Sequence, residues 1–238
     1  MQPVSEILNP ERMEALRAKI VISDEQEAAE REAERADAVA QFVDAVTRHT
    51  PPAHKGEMAP CEPVSRVEAW ANATGAQEAQ RLILAGPTGT GKTRLAWYAL
   101  QCAVAARCGN VSTEPDLRLD ETNLFRFVTM IDLVRTPAEA KGPYRFLVVD
   151  DLGQEPAATD HAKETAAAAL WDVLNYRWDH CLTTIVTTNL GGSKVPSWRE
   201  GQAPELATIL GRYGDAVWSR LQPARVVTVV GADRRQAT

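Results

Sequence analysis

The sequence is poor in the residues that build metal and disulfide sites. Its 238 residues include four cysteines without a C-x-x-C pair and four histidines without an H-x-x-x-H or H-x-E pattern. These spacings support neither a zinc site nor a disulfide framework. We therefore interpret the cysteines as structural and expect no transition metal.

Long apolar runs are missing as well. No stretch approaches the roughly 20 apolar residues that a membrane-spanning helix requires. The first ten residues, MQPVSEILNP, lack the basic start and the apolar segment of a secretory signal. From these two absences we expect a cytoplasmic protein with no membrane partner.

The chain also lacks an excess of positive charge. Its formal net charge is -6, and residues 1–60 carry 12 acidic and 7 basic side chains, against 20 and 19 in residues 61–238. A protein that holds DNA mainly by electrostatics shows a strong basic patch. The acidic N-terminal part is therefore better suited to a protein partner than to DNA.

Residues 1–50 are predicted to be a helical partner-binding region. Asn9-Pro10 has the pattern of a helix start, and Ser23–Gln26 has the S-x-x-Q form of a capping box, which predicts a second helix running to about Arg48. Residues 51–64 contain Pro51-Pro52 and two further prolines, and are predicted to be a linker.

The predicted second helix has an apolar stripe of small residues. Its members recur at spacings of three and four: Ala29, Ala33, Ala36, Ala40 and Val43. Val39, Phe42 and Val46 are expected to widen this stripe towards the C-terminal end of the helix. Two interpretations stay open: the helix lies on its own domain, or it binds a partner helix or a second copy of the chain.

Residues 65–238 show the alternation of short apolar runs and helical stretches that is typical of a parallel sheet covered by helices. The fold class is therefore α/β, in one open domain. Five strands are predicted, at residues Arg81–Ala85, Phe125–Met130, Phe146–Val149, Thr184–Thr187 and Arg225–Val230.

A phosphate-binding loop follows the first of these strands and precedes a helical stretch. The G-x-x-x-x-G-K-[ST] motif is complete, with Gly86, Pro87, Thr88, Gly89, Thr90, Gly91, Lys92 and Thr93. In this context the loop N–H groups surround the phosphates of a nucleotide, the lysine reaches the β- and γ-phosphates, and the threonine hydroxyl holds Mg²⁺.

Polar side chains end two other predicted strands. Asp150 and Asp151 follow an apolar strand, and Asn189 follows another. We expect Asp150 to face the Mg²⁺ shell, Asp151 to polarise the attacking water and Asn189 to orient that water against the γ-phosphate. Glu155 is a weaker candidate for the same work.

The ordered set of motifs resembles the DnaC/IstB family of AAA+ ATPases over roughly residues 65–238. Its members are GPTGTGKT, FLVVDDLG, NYR at Asn175–Arg177, TIVTTNL, SRL at Ser219–Leu221 and G-x-D-x-R at Gly231–Arg235. The resemblance implies an AAA+ P-loop NTPase with a five-stranded parallel sheet flanked by helices, a minimal or absent C-terminal lid and a helical N-terminal region. It implies ATP and Mg²⁺ as cofactors.

The resemblance also implies roles for two arginines. Arg220 looks like the arginine finger that reaches the γ-phosphate of a neighbouring copy, which implies a homo-oligomer, and Arg235 looks like the second sensor arginine. One departure from the family is Ala216, which stands where a further arginine is often found. Whether Arg212 takes the place of that arginine stays open.

A second departure concerns single-stranded DNA. The segment 132–145 is short and broken by Pro137 and Gly142-Pro143, whereas related loaders have DNA-facing helices there. Basic side chains that could still contact phosphates in this segment are Arg135, Lys141 and Arg145.

Three functions follow from these patterns. The first is a helicase loader, whose N-terminal helices bind a hexameric replicative helicase while the ATPase domain controls its placement on single-stranded DNA. The second is an IstB-like ATPase that regulates a transposase on DNA. The third, a small-molecule P-loop kinase, is disfavoured by the TTN and SRL elements.

Overall fold

The computed structural model describes residues 10–73, 80–108, 121–155 and 159–233. Across those ranges no helix has the length and apolar character needed to cross a membrane. The described residues form one five-stranded parallel sheet with helices on both faces. The α/β fold class predicted from the sequence is confirmed.

The sheet has the strand order β2-β3-β4-β1-β5, and all four strand pairs are parallel. The strands are β1 Arg81–Ala85, β2 Phe125–Thr129, β3 Phe146–Leu152, β4 Thr183–Thr188 and β5 Arg225–Thr228. The central strands are buried almost throughout, while β2 and β5 form partly exposed edges. All five predicted strands exist: β1 has the predicted bounds, and the other four differ from the prediction by one to three residues at one or both ends.

The longer helices are α1 Pro10–His49, α2 Glu62–Ala71, α3 Lys92–Arg107, α7 Asp160–Asp179 and α9 Ile209–Leu221. The short ones are α4 Glu121–Leu124, α5 Met130–Arg135, α6 Pro137–Ala140 and α8 Pro204–Ala207. One core forms where α2, α3 and the end of α1 cover the sheet. The other forms where α5, α6, α7 and α9 cover the opposite face.

Alternate residues of the central strands enter the two cores. In β1, Leu82 and Leu84 pack on the α3 side, whereas Ile83 and Ala85 pack on the α7 side. Side chains of successive strand residues point to opposite faces. Because both faces are covered, most of β1 and the first four residues of β3 are continuous apolar runs rather than alternating ones.

The N-terminal region differs from the sequence prediction. A single helix runs from Pro10 to His49, so the predicted second start at Ser23–Gln26 is wrong. A capping box ends no helix by itself, and this stretch contains no proline or glycine after Pro10 that would interrupt the backbone hydrogen bonds.

The two faces of α1 have different surroundings. Val46 is buried and Phe42 is half-buried against the core on the α3 side, and Val39 is partly covered. At about 100° per residue, Val39 and Val46 lie within about 60° of Val43, the last member of the predicted stripe, and Phe42 lies just beyond them. Phe42, Val43 and Val46 pack on the same core, so the apolar face widens towards the C-terminal end of α1, as predicted.

The alanine stripe itself is largely uncovered. Ala29, Ala33, Ala36 and Ala40 are exposed, while Val43 at its end is partly buried against the domain. The last turns of α1 thus lie on the chain's own domain, as one of the two interpretations expected. Its preceding part, from residue 25 to residue 37, leaves its side chains in solvent.

Candidate functional site

The predicted nucleotide-site residues meet at one edge of the sheet. The phosphate loop follows β1, Asp150 and Asp151 lie near the end of β3, and Asn189 follows β4. These three strands are neighbours in the order β3-β4-β1. Since they are parallel, their carboxyl ends meet at the same edge, where open α/β sheets bind ligands.

The loop between β1 and α3 has the backbone shape of a phosphate cradle. Gly89 and Gly91 have φ of 80° and 92°, a region that other residues rarely adopt. Lys92 opens α3, and its Nζ donates to the carbonyl oxygens of Gly86 at 2.9 Å and Pro87 at 2.6 Å. The ammonium group is therefore held over the loop with only 8% of the residue exposed.

Asp150 and Thr93 form a pair of oxygen donors beside this loop. The Thr93 hydroxyl donates to both Asp150 carboxylate oxygens, at 3.2 and 3.1 Å, and the Thr187 hydroxyl donates to one of them. Burial raises the pKa of Asp150, and the hydrogen bond from Thr187 opposes that shift. A carboxylate and a hydroxyl are hard oxygen ligands, so this donor set fits Mg²⁺.

Asp151 is turned into the pocket by an irregularity in β3. The pairing of β3 with β4 shifts between Val149 and Leu152, and Asp151 has a left-handed backbone with φ of 57°. Its N–H donates to the Thr187 hydroxyl at 2.9 Å. A bulge of this kind re-aims a side chain, and here it exposes Asp151 while Asp150 stays buried.

Asn189 lines the same pocket and is hydrogen-bonded by two side chains of the segment that follows it. Its side-chain Oδ1 accepts from Arg199 Nη1 at 3.1 Å, and its backbone carbonyl accepts from Trp198 Nε1 at 2.9 Å. Neither Trp198 nor Arg199 was identified from the sequence. The segment that carries them has no strand or long-helix pattern to mark it.

The pocket at this edge has a volume of about 740 Å³. It contains Lys92, Thr93, Asp151 and Asn189 and further loop residues. Its other lining side chains were not predicted from the sequence: Ala53, His54, Arg94, Ile131 and Gln154. Ala53 and His54 come from the segment expected to be a linker, which runs beside the nucleotide pocket.

Glu155, the weaker candidate, belongs to a buried ionic cluster instead of the pocket lining. Its carboxylate accepts from Arg212 Nε and from the Tyr213 hydroxyl, both at 2.7 Å, and from Gly153 N–H at 3.2 Å. Only 5% of Glu155 is exposed. Arg212 is therefore engaged by a carboxylate of its own chain.

Arg220 lies far from its own phosphate loop. Its Nη2 and Nε donate to Asn175 Oδ1 at 2.9 and 3.2 Å, near the end of α7. Its guanidinium lies 5.3 Å from the ring centre of Trp178, which also stacks under Arg81, the first residue of β1. Arg220 is thus at the amino end of the strands, on the edge opposite to the pocket.

The chain after β5 crosses the phosphate loop. Val229 donates its N–H to the Ala85 carbonyl at 2.7 Å, and its own carbonyl leaves no room for a side chain at Gly86. The Asp233 carboxylate lies against Gly89, where a Cβ atom would be 1.9 Å from its Oδ1. Arg235, the predicted second sensor, lies outside the described residues.

The segment 132–145 contains the end of α5 and all of α6, and it offers little free positive charge. Lys141 donates to both carboxylate oxygens of Asp172, at 2.9 and 2.8 Å. Arg135 is exposed, whereas Arg145 is partly buried. Of the three basic side chains considered for phosphate contacts, Lys141 is already held by an acidic partner.

The strand order and the loop between β1 and α3 define a parallel α/β fold with a phosphate-binding loop between its first strand and the following helix. No family model and no curated protein sequence matches the chain. Solved structures similar to it include a DnaC helicase loader, with 20% identity, a TM-score of 0.49 and coverage of 73% of this chain and 94% of the loader.

Two further solved structures are similar. DnaI shares 16% identity, with a TM-score of 0.48 and coverage of 79% of this chain and 95% of DnaI. AMPPCP-bound DnaA from Aquifex aeolicus shares 16% identity, with a TM-score of 0.43 and coverage of 72% and 48%. These likenesses are similarities of fold.

Proposed function

We propose that this chain is an ATP-dependent helicase loader that binds a hexameric replicative helicase and helps to place it on single-stranded DNA. The observation that carries the proposal is the division of the ATPase machinery. The phosphate loop, the acidic pair and Asn189 lie at one edge of the sheet, and Arg220 lies at the other. A chain whose arginine cannot reach its own pocket needs a neighbouring copy to complete that pocket. This requirement suits a loader, which acts by assembling with its helicase.

ATP binding is assigned to the loop Gly86–Thr93. Lys92 would exchange its two carbonyl partners for the β- and γ-phosphates, and the N-terminus of α3 adds its partial positive charge. Thr93 and Asp150 are the residues that would hold Mg²⁺. When bound, Mg²⁺ neutralises charge on the phosphate oxygens.

Hydrolysis is assigned to Asp151, Asn189 and an Arg220 from a neighbouring copy. Asp151 is exposed in the pocket and free to accept a proton from water, although its side chain is one carbon shorter than a glutamate. Asn189 would orient the water and the γ-phosphate. An arginine from the next copy would stabilise the charge that develops on the transferred group.

Helicase binding is assigned to α1. Its exposed part, residues 25–37, is acidic and leaves the alanine stripe uncovered, which suits close packing against another helix. Its negative charge opposes direct contact with DNA phosphates. For single-stranded DNA the exposed Arg135 is the remaining contact in the segment 132–145.

The experiment that tests this function mixes the full chain with the replicative helicase of its own host. We expect native mass spectrometry to detect a complex of both proteins whose mass depends on ATP. Lys92→Ala should lose ATP binding while keeping its circular dichroism spectrum and its thermal transition. No complex with the helicase, at any ATP concentration, would overturn the loader assignment.

Three further results would each overturn one part of this assignment. Nucleotide affinity that is unchanged in a folded Lys92→Ala variant would refute the phosphate-loop assignment. Stable binding to a transposase, with none to the helicase, would favour the IstB-like function. Turnover that requires a small phosphate acceptor would favour a kinase.

A further inference from the structure

Arg199 reaches the back of the nucleotide pocket from a surface loop. It ends a short 3-10 helix, Ser197–Arg199, within the loop formed by residues 191–208. The base of this loop is closed by two backbone hydrogen bonds: Gly191 N–H donates to Ala207, and Ile209 N–H donates to Gly191, both at 2.8 Å. The loop is therefore a compact unit beside the end of β4.

Two side chains of the loop hold Asn189. Arg199 Nη1 donates to Asn189 Oδ1 at 3.1 Å, and Trp198 Nε1 donates to the Asn189 carbonyl at 2.9 Å. Arg199 is itself held by Gln202, whose Oε1 accepts from Arg199 Nε at 2.7 Å. Both oxygen atoms of Asn189 are thus occupied by donors from one loop.

The chemistry of arginine fixes the direction of the Asn189 amide. A guanidinium group donates five hydrogen bonds and accepts none, so it faces the oxygen and never the nitrogen of a neighbouring amide. With Oδ1 turned to Arg199, the Nδ2 group keeps both of its N–H donors for other partners. Asn189 also lines the pocket, so these donors are available to an acceptor bound there.

We propose that Arg199 is a positioning residue, which sets the Asn189 amide so that Nδ2 donates to the γ-phosphate of bound ATP. The inference rests on the proposed function, because it assumes that ATP occupies the pocket. Without Arg199 the Asn189 amide can flip by rotation about χ2. The flipped amide presents Oδ1, which repels a negative phosphate, in place of the Nδ2 donor. Arg199 therefore makes the pocket prefer ATP over ADP, although it contacts neither nucleotide itself.

The test measures affinity for ADP and for a non-hydrolysable ATP analogue in the full chain. We expect Arg199→Met to leave ADP affinity within about twofold and to weaken the analogue about tenfold to a hundredfold, the range expected for one hydrogen bond to a charged group. The turnover number should fall about tenfold or more, since an oriented donor acts on the reacting phosphate.

Two further variants separate positioning from a structural effect. Asn189→Ala should lose the same preference for the triphosphate, and Arg199→Met should add nothing to Asn189→Ala, because the two residues act as one unit. Arg199→Lys, which keeps a donor, should recover part of the preference. Lys194→Met, which removes an exposed charge from the same loop, is the matched control and should behave as the unaltered protein.

The outcomes are distinguishable from those for the proposed function. An unaltered chain that binds neither nucleotide refutes both. A chain that hydrolyses ATP normally after Arg199→Met refutes this inference alone. Equal losses for ADP and the analogue, or additive losses in the double variant, also overturn it, because the arginine would then stabilise the pocket or contact phosphate directly.

Discussion

The backbone at Asp151 is held in a conformation that most side chains avoid. Its φ of 57° is left-handed, and its N–H donates to the Thr187 hydroxyl that also donates to Asp150. Aspartate and asparagine tolerate this region better than branched residues do. Strain at a site residue is typical of places where a side chain must point in one direction.

Replacements of Asp151 should therefore differ in their effect on stability but share the loss of ATP turnover. We expect Asp151→Asn and Asp151→Gly to keep the free energy of unfolding near that of the unaltered protein, whereas Asp151→Val should lower it by about 1–2 kcal/mol. All three should bind ATP and lose turnover. Urea unfolding and an ATPase assay give the two measurements, and equal stability of the valine and asparagine variants would contradict the strain.

The four cysteines differ in their access to reagents. Cys61 and Cys181 are exposed, whereas Cys102 and Cys108 are half-buried. Burial raises the pKa of Cys102, and it raises the pKa of Cys108 to about 11. Only the thiolate reacts with an alkylating reagent, so the raised pKa slows the reaction at neutral pH.

Alkylation of the folded protein should be faster at the exposed cysteines than at the half-buried ones. At pH 8 we expect iodoacetamide to modify Cys61 and Cys181 first, while roughly one part in a thousand of Cys108 is thiolate. The rate at Cys108 should rise about tenfold per pH unit up to about pH 10, since deprotonation limits it. Peptide mass spectrometry checks this, and a Cys108 rate that stays flat between pH 8 and pH 10 would contradict it.

At the scale of elements, α7 is joined to the sheet by a buried arginine. Arg177 is 1% exposed, and its guanidinium donates to the carbonyls of Tyr144, Arg145 and Thr183 and to the Thr184 hydroxyl. These groups lie where β3 and β4 begin. The NYR motif therefore has a structural arginine beside Asn175, which holds Arg220.

Loss of Arg177 should destabilise the protein without altering the nucleotide site directly. We expect Arg177→Met to lower the free energy of unfolding by about 3 kcal/mol or more, because several buried carbonyls lose their donor. Arg225→Met removes an exposed arginine at the same edge and should change it by about 0.5 kcal/mol at most. A loss below about 1 kcal/mol in Arg177→Met would contradict this network.

The uncovered stripe of α1 allows a direct test of the docking proposal. Ala33→Gln enlarges a stripe residue, whereas Ala28→Gln places the same side chain on exposed helix outside the stripe. We expect the first to weaken helicase binding about tenfold through overpacking and the second to leave it unchanged. Both should bind ATP normally. The helicase affinity of both variants is measured by titration. Equal affinity would show that the stripe is not part of the interface with the helicase.

At the scale of the whole molecule, the separation of Arg220 from its own pocket predicts turnover that depends on assembly. Arg220→Ala should bind ATP and lose turnover, since a trans arginine is worth roughly 10³–10⁵ in rate. Mixing it with Asp151→Asn should restore part of the activity, because one junction then combines an intact pocket with an intact arginine. Arg225→Ala is the control.

The measurement is ATPase rate per protomer against protein concentration, for each variant and for the mixture. The unaltered protein should become more active per protomer as concentration rises. Full activity of Arg220→Ala at every concentration would exclude the trans role.

The sequence predicted the parts of this fold that depend on local patterns. The phosphate loop and β1 were recognised because glycine spacing and an apolar run are both local, and all five strands were found in that way. The bulge that lengthens β3 beyond Val149 was missed, since two aspartates look like the end of a strand. The uninterrupted α1 was missed because a capping box was given more weight than the absence of a helix breaker.

The remaining site residues could not be predicted from local patterns. His54 lines the pocket and Arg199 contacts Asn189 beside it, and both come from segments rich in proline and glycine, which have no periodic pattern from which a position could be predicted. Arg199 in particular is recognisable only once Asn189 is next to it. Roles for Lys92, Asp150 and Asn189 remain predictions, supported by their convergence at one edge.

Under the proposed role of Arg220 in a neighbouring pocket, the opposite placement of pocket and arginine would give an assembly of this chain a direction. Each copy would offer a pocket on one side and an arginine on the other, so contacts between copies would be head to tail. An open row always leaves one terminal pocket without an arginine and one terminal arginine without a pocket. A closed ring would leave neither, so opening one junction would stop hydrolysis in a single pocket and would identify which copy stands at the break.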